Sequence, residues 1–129
     1  MAQDNVDVIQ TAWDAFGRGD LEKATAVADP SAEFVAPKTL PWGGSYLGPE
    51  GWADLLASVI GNFDKFEAKP EKVLGADDDH VVVVARLVGR TKSGQDVEHD
   101  VVWVYKMRNG QVVRGDAFTD TAGLLEALG

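Results

Sequence analysis

The alternation of apolar and polar residues is most regular between residues 95 and 120, where two runs flank Arg108-Asn109-Gly110. Asn-Gly between two such runs predicts a β-hairpin, because both residues tolerate the positive φ that a tight turn requires. In the first run, alternation places four residues on one face of the strand: His99, Val101, Trp103 and Tyr105. A histidine, a tryptophan and a tyrosine on one face are typical of a pocket wall.

Three earlier segments have the apolar spacing of amphipathic helices. The first covers residues 4–17, the second covers residues 20–28 and the third begins after Gly48-Pro49. Aspartate at a helix start, and glycine or proline near its end, support these boundaries. The apolar residues of the third helix recur every three or four positions, at Trp52, Leu55, Leu56, Val59, Ile60 and Phe63.

The remaining periodic segments predict strands at residues 31–36, 66–74 and 79–90, before the hairpin and a short C-terminal helix capped by Asp120. Helices placed early and an antiparallel meander placed late predict an α+β fold. We expect a cone-shaped, curved antiparallel sheet wrapped around the N-terminal helices. The open end of such a cone is a natural small-molecule site.

The segment at residues 37–50 interrupts these elements with three prolines and three glycines before position 50. Its Leu40, Trp42 and Tyr46 are more apolar than a purely solvated loop requires. Loops of this kind often form the rim or lid of a pocket. Trp42 and Tyr46 are therefore candidate ligand contacts.

Composition narrows the possible partners of the chain. Its 129 residues are enough for one domain, 1–129, with a single core. The formal net charge of −9 argues against nucleic acid or an anionic membrane as partner. With no cysteine there is neither a disulfide nor a thiolate nucleophile. The first residues lack the pattern of a secretion signal, so we expect a cytoplasmic protein.

Four segments together resemble the SnoaL-like polyketide cyclase branch, which is related to the ketosteroid isomerases, of the nuclear-transport-factor-2-like superfamily. They are AWDAFGRGD, SAEFVAP, LPWGGSYLGPEG and the ending VVWVYKMRNGQVVRGDAFTDTAGLLEAL. The resemblance spans nearly the whole chain and implies the α+β cone fold, or α+β roll. It does not imply one reaction, because this fold hosts isomerases, cyclases, dehydratases, epoxide hydrolases and binding proteins.

The catalytic positions that the resemblance implies mostly carry other residues here. A ketosteroid isomerase pairs an aspartate base with a tyrosine and a protonated aspartate, and these positions match Ala36, Ala12 and Trp103. The histidine and aspartate of the cyclases match Trp103 and Ala117. The middle aspartate of the limonene-epoxide-hydrolase pattern matches Arg86.

Asp116 and His99 are the remaining catalytic candidates. In a strict two-residue Asn-Gly turn, Asp116 lies opposite Trp103, and burial there would suit it to proton transfer. A bulge near Gly115 would change its facing, and the alternative is a salt-bridged aspartate on the outer face. His99 would hydrogen-bond a ligand or shuttle protons; its alternative is a solvated position at the strand end.

Arg86 interrupts an apolar strand and is expected across the hairpin from Val101, near His99 and Trp103. There it would hold an anionic ligand or stack on Trp103. On the opposite face it would be an ordinary surface arginine. The further candidate cavity residues are aromatic, namely Trp13, Phe16, Trp42, Tyr46, Trp103 and Tyr105, whereas Trp52 and Phe63 are expected in the core.

Two functions remain open from the sequence. In the first, the cone binds a small, largely apolar molecule and catalyses proton transfer next to a carbonyl, without a cofactor or metal. Asp116 and His99 would act as acid or base, and Tyr46 as a hydrogen-bond donor. In the second, the chain is a non-catalytic ligand-binding or assembly module. In both cases we expect a homodimer through the outer sheet face, where Val102 and Val104 need cover.

Overall fold

The computed structural model of the protein describes residues 2–128. Within that range the helices are α1 (Ala2–Gly17), α2 (Leu21–Thr25), α3 (Gly48–Gly61) and α4 (Thr121–Leu128). The strands are β1 (Ala28–Ala36), β2 (Gly44–Leu47), β3 (Phe63–Gly75), β4 (His80–Thr91), β5 (Asp96–Arg108) and β6 (Gln111–Thr119). None of these helices combines the length and the apolar character needed to cross a membrane.

The strands form one curved, open sheet in the order β2-β1-β6-β5-β4-β3. Strands β3 to β6 make an antiparallel meander, and β1 joins β6 in parallel and β2 in antiparallel orientation. Helices α1 and α3 pack on one face, which we call the inner face. This arrangement confirms the predicted α+β fold of helices enclosed by a curved sheet.

The starts of α2, α3 and α4 follow the residues that predicted them, whereas α2 ends at Thr25 and not at residue 28, because Ala28 is already part of β1. The Asp20 carboxylate accepts a hydrogen bond from the Lys23 amide at 3.1 Å and so caps α2. Pro49 lies in the first turn of α3, where its missing amide hydrogen costs nothing. Helix α4 begins directly after Asp120, as the sequence predicts.

Alternation along the strands separates the inner face from the outer one. On β4 the inner residues Val81, Val83 and Ala85 are fully buried, while the residues between them are half-buried. On β1, Phe34 points inward and its ring stacks on Trp52 of α3, with ring centroids 4.4 Å apart. The core therefore lies between the meander and α1 and α3.

Two features of the sheet differ from the prediction. Strand β2 was expected as loop, because four residues next to glycines and prolines carry almost no periodic signal; it pairs with β1, with Tyr46 opposite Phe34. The sheet is also not antiparallel throughout, since β1 runs parallel to β6. These two strands are far apart in the chain, so no local turn could reveal their pairing.

Candidate functional site

A narrow cavity of about 60 Å³ lies between the helices and the inner face of the sheet. Helices α1 and α3 contribute Trp13, Phe16, Leu55, Leu56 and Val59 to its wall. The sheet contributes Phe66, Ala68, Leu87, Val101, Trp103, Ala117 and Thr119. The end of β1 and the loop after it contribute Ala36, Pro37, Leu40 and Trp42. The wall is almost entirely apolar.

A second and smaller hollow adjoins this cavity, and we call it the inner chamber. Its volume is about 20 Å³, and it shares Trp13, Phe16, Leu56 and Trp103 with the main cavity. The rest of its wall is Ala12, Ala24, Trp52 and Tyr105. The shared walls show that the chamber and the cavity are neighbours.

A buried hydrogen bond joins two side chains that line the inner chamber. Trp13 Nε1–H donates a buried hydrogen bond to the Tyr105 hydroxyl at 3.2 Å. The Tyr105 ring also stacks on Trp103, with ring centroids 5.5 Å apart. Burial raises the pKa of Tyr105 far above its ordinary value, so this hydroxyl stays protonated at any physiological pH.

No carboxylate, histidine, lysine or arginine is among the wall residues of either hollow within residues 2–128. Across the same part of the chain, no three histidine, aspartate or glutamate side chains gather as a metal site. Acid–base chemistry at these walls would therefore have to come from a group at their edge or from the ligand itself.

His99 is the predicted catalytic residue that does lie on the inner face. On β5 it lies two residues before Val101, a residue of the cavity wall. It pairs with Leu87 of β4, which also belongs to that wall. Its side chain is 19% exposed, and its Nδ1 lies 3.5 Å from Asp120 Oδ2. The pair stands beyond the wall residues Val101 and Thr119, at the edge of the cavity.

Asp116 lies on the outer face, so the expectation that it faces the cavity is wrong. The hairpin begins as predicted, with Arg108 opposite Gln111, but the register shifts by one residue between Lys106 and Met107. Val113 is the extra residue, and as a result Ala117 rather than Asp116 lies opposite Trp103. Asp116 instead pairs with Arg114 at 2.9 Å.

Arg86 also lies on the outer face, contrary to its predicted role as a cavity ligand contact. Its partner on β5 is Asp100 and not Val101, because the turn between β4 and β5 pairs Arg90 with Asp96 and so shifts the register by one residue from the expected one. The guanidinium binds Asp100 at 2.8 Å and Glu98 at 3.1 Å. Arg86 thus takes the surface position that was its alternative.

The aromatic candidates are mostly brought together. Trp13, Phe16, Trp42 and Trp103 line the cavity, and Tyr105 lines the inner chamber. Tyr46 is not part of either wall; its hydroxyl donates to the Trp42 carbonyl at 2.9 Å and so ties β2 to the preceding loop. The proposed role of Tyr46 as a donor to ligand therefore lacks support.

Several wall residues were missed by the sequence interpretation. Leu55, Leu56 and Val59 are not among the predicted cavity residues, because helical spacing cannot separate a core residue from a cavity residue. Trp52 is buried as expected, yet it also lines the inner chamber. The usable signal was the resemblance itself. Four of its matched catalytic positions line at least one of the two hollows, namely Ala12, Ala36, Trp103 and Ala117, whereas the fifth, Arg86, lines neither.

Comparison with protein families connects this geometry to known proteins. The model of the SnoaL-like domain matches residues 9–115, which include most of the cavity wall. The chain belongs to the SnoaL-like domain family. No curated protein matches the sequence significantly.

Several solved structures have the same fold as this SnoaL-like protein over nearly its entire length. TerC, crystallised with polyporic acid, is 25% identical with a TM-score of 0.86, covering 97% of this chain and 98% of its own. A nuclear-transport-factor-2-like protein from Burkholderia xenovorans LB400 is 27% identical with a TM-score of 0.82, covering 98% and 97%. A putative SnoaL-like polyketide cyclase from Jannaschia sp. CCS1 is 25% identical with a TM-score of 0.80, covering 98% and 92%.

Proposed function

We propose that this SnoaL-like protein binds a compact, largely apolar ring compound in the main cavity. The observation that carries the proposal is the wall: three tryptophans, two phenylalanines and aliphatic side chains surround the space, with no ionisable group among them. Burial of an apolar ring against such a wall is favourable by roughly 25 cal/mol per Å². The crystallisation of the similar TerC with polyporic acid supports a cyclic organic ligand.

The size of the cavity indicates how a ligand would enter. About 60 Å³ exceeds the space for one water but is below the roughly 150 Å³ of a cavity known to accept benzene. Phe16 is half-buried and lines both the cavity and a surface groove of about 440 Å³. Rotation of this ring away from Phe66, 6.3 Å from it between centroids, would join the two spaces. We propose this as the entry route.

Filling the cavity with a side chain tests the binding proposal. Toluene and polyporic acid would be titrated against the protein while tryptophan fluorescence is recorded, since Trp13, Trp42 and Trp103 line the site. Ala117→Leu adds three carbon atoms to the wall and is expected to weaken binding by tenfold or more. Phe118→Leu changes the next residue, on the outer face, and is the matched control. Equal binding by Ala117→Leu and the control would contradict the proposal.

A catalytic function at the cavity edge is a second candidate, favoured by the His99–Asp120 pair. Asp120 would orient the imidazole, and His99 would move a proton next to a carbonyl of the bound ligand. On a substrate found by ligand screening, His99→Gln should lower kcat by about a hundredfold or more with little change in affinity. An unchanged kcat would leave a binding protein without acid–base catalysis.

We also propose that two copies of the chain pair through the outer face of the sheet. Leu47, Leu74, Val88 and Phe118 are 67%, 50%, 44% and 55% exposed there, beside the half-buried Val102 and Val104. Apolar side chains on an open sheet face favour a symmetric partner. Sedimentation at micromolar concentration is expected to give a dimer that Phe118→Asp dissociates. A monomeric wild-type protein would contradict this pairing.

A further inference from the structure

A layer of shared wall residues separates the main cavity from the inner chamber. On β5 the inner-face residue Val101 lines the main cavity, Trp103 lines both hollows and Tyr105 lines the chamber. The same order is repeated along α3 by three residues, namely Val59, Leu56 and Trp52. Because the strand and the helix show the same order, the layer that contains Trp103 and Leu56 lies between the two spaces.

Trp103 is the member of this layer that comes from the sheet. The members from the helices are Trp13, Phe16 and Leu56. Trp103 is 7% exposed, and its indole is nearly parallel to the Tyr105 ring, with an interplanar angle of 3° and ring centroids 5.5 Å apart. The indole therefore stacks on a chamber residue and at the same time forms part of the wall of the main cavity.

Small neighbours on β6 make the room that this indole occupies. Ala117 is its cross-strand partner. A Cβ atom at Gly115 would lie 3.3 Å from Trp103 Cζ3 and 2.8 Å from the Phe34 ring. On the other side its partner on β4 is the fully buried Val83. A large side chain packed this closely cannot move aside for a ligand without disturbing the core.

We infer that Trp103 limits the depth to which a ligand enters: its indole closes the inner chamber and confines the ligand to the main cavity. The inference rests on the proposed binding function, since it concerns the same ligand. A shorter side chain at this position would join the two hollows into one longer site. Trp103 is therefore a specificity-determining residue, and the ligand class that it favours is a single ring rather than a fused bicyclic compound.

Two apolar probes of different length report this limit. Toluene has a single ring and naphthalene has a fused pair of rings, and neither carries a polar group. Because naphthalene has the larger apolar area, burial alone would favour its binding in a site that is open to both. A closed chamber removes this advantage. The ratio of the naphthalene affinity to the toluene affinity therefore measures how much of the space is open to a ligand.

The first measurement uses toluene and the natural Trp103. Nuclear Overhauser effects should connect toluene protons to the Val101 methyl groups, in the main cavity, and not to the Tyr105 ring, in the chamber. The signals are readily assigned, because the other tyrosine of the chain is Tyr46, which lines neither hollow. Ala24 lines the chamber and not the main cavity, so Ala24→Val should leave toluene binding within about twofold of wild type.

The second measurement opens the chamber. Trp103→Leu shortens the side chain, and calorimetric titration should show that the naphthalene-to-toluene affinity ratio rises by about tenfold or more. Naphthalene bound to this variant should contact the Tyr105 ring. In the double variant Trp103→Leu with Ala24→Val, the chamber is filled again and most of the gain should be lost.

Trp42→Leu is the matched control for this variant. It also removes an indole from the wall of the main cavity, but Trp42 does not line the chamber. Any rise in the affinity ratio should therefore be insensitive to Ala24→Val, and naphthalene should not contact Tyr105. These differences distinguish a barrier at Trp103 from a general enlargement of the cavity.

The outcomes separate this inference from the binding proposal. Toluene contacts to Tyr105 in the wild type, or equal affinity ratios in the wild type and Trp103→Leu, would overturn the depth limit and leave apolar binding intact. A loss of toluene binding in Ala24→Val as large as that in Ala117→Leu would also overturn it, and this comparison decides the matter if Trp103→Leu fails to fold. No binding of toluene, naphthalene or polyporic acid by the wild type and by Trp103→Leu would overturn both.

Discussion

The inner and outer faces of the sheet are built from the same strands, yet their chemistry is opposite. The inner face holds stacked rings such as Trp103 and Tyr105 and almost no charge. The outer face holds ion-pair networks around Arg86 and Arg114, interspersed with exposed apolar residues. The difference shows that strand parity, and not proximity in the chain, decides which groups a ligand can meet.

Apolar residues occupy the inner-face positions at which the resemblance expects catalytic groups. Ala36, Trp103 and Ala117 occupy inner-face positions where the resemblance expects acid–base groups. The chain retains the geometry of the pocket but fills these positions with apolar residues. Asp116 lies one residue from Ala117, on the face that a ligand in the cavity cannot reach.

The largest expected contrast between the two faces comes from neighbouring valines on β4. Val83→Asp places a charge at a fully buried inner position and should lower the free energy of unfolding by about 4 kcal/mol or more. Val84→Asp places the same charge on the half-buried outer face and should cost far less, about 1 kcal/mol, once Phe118→Asp has separated the proposed dimer. Urea denaturation of both variants in that background measures the difference. Similar losses would contradict the placement of residue 84 on a face that a single chain leaves open to water.

A moderate loss of stability is expected from a substitution at Gly115, where the inner face is tightly packed. A Cβ at Gly115 would lie 2.8 Å from the Phe34 ring, so Gly115→Ala should cost about 1–3 kcal/mol of stability. Gly17→Ala is the matched control, since nothing lies within 4 Å of its Cβ position and the residue ends a helix. Thermal denaturation compares the two. An unchanged Tm for Gly115→Ala would show that Phe34 can move aside.

The smallest expected effect is a change in the pH dependence of stability caused by Glu33, on the outer face. The pKa of Glu33 is lowered from its ordinary value of 4.5 by the Ser45 hydroxyl and by Arg114. A lowered folded-state pKa contributes stability that is present above the unfolded value and is lost as pH falls through the folded value. The stability difference between wild type and Glu33→Gln should therefore shrink below about pH 4.5.

Ser45→Ala provides the control for this titration, because it removes the largest cause of the shift and retains the carboxylate. Urea midpoints between pH 7 and about pH 3 give the comparison for all three proteins. A stability difference that stays constant over this range would mean that the Glu33 contacts persist equally in the unfolded chain.

Much of the fold was predictable because its signals are local. The Asp20 cap, Pro49 at the start of α3 and the Asn109-Gly110 turn each depend on residues close together in the chain. Asn109 and Gly110 have φ values of 52° and 76°, the conformation for which this dipeptide was read as a turn. Alternation along β5 likewise identified the inner face of Trp103 and Tyr105.

The candidate site was predicted only in part, because it depends on register. The aromatic wall residues Trp13, Phe16, Trp42 and Trp103 follow from composition and periodicity. Asp116 and Arg86 were misplaced by shifts of a single residue, which move a side chain to the opposite face. Trp52 shows a further limit, since the lack of a hydrogen-bond partner for its Nε1 within the described residues 2–128 is a property of its surroundings and leaves no trace in the local sequence.

By itself the sequence determined every element except β2, together with the family and the aromatic character of one sheet face, since helix caps, turn residues and hydrophobic periods act over a few neighbouring positions. Only the tertiary structure decided that Asp116 and Arg86 lie on the outer face and that the Tyr105 hydroxyl is buried beside Trp13. The extra residue Val113 exchanges the inner and outer positions of the β6 residues that follow it, relative to a regular hairpin. The parallel pairing of β6 with β1 is consistent with this register. Such choices are made by packing across the whole sheet.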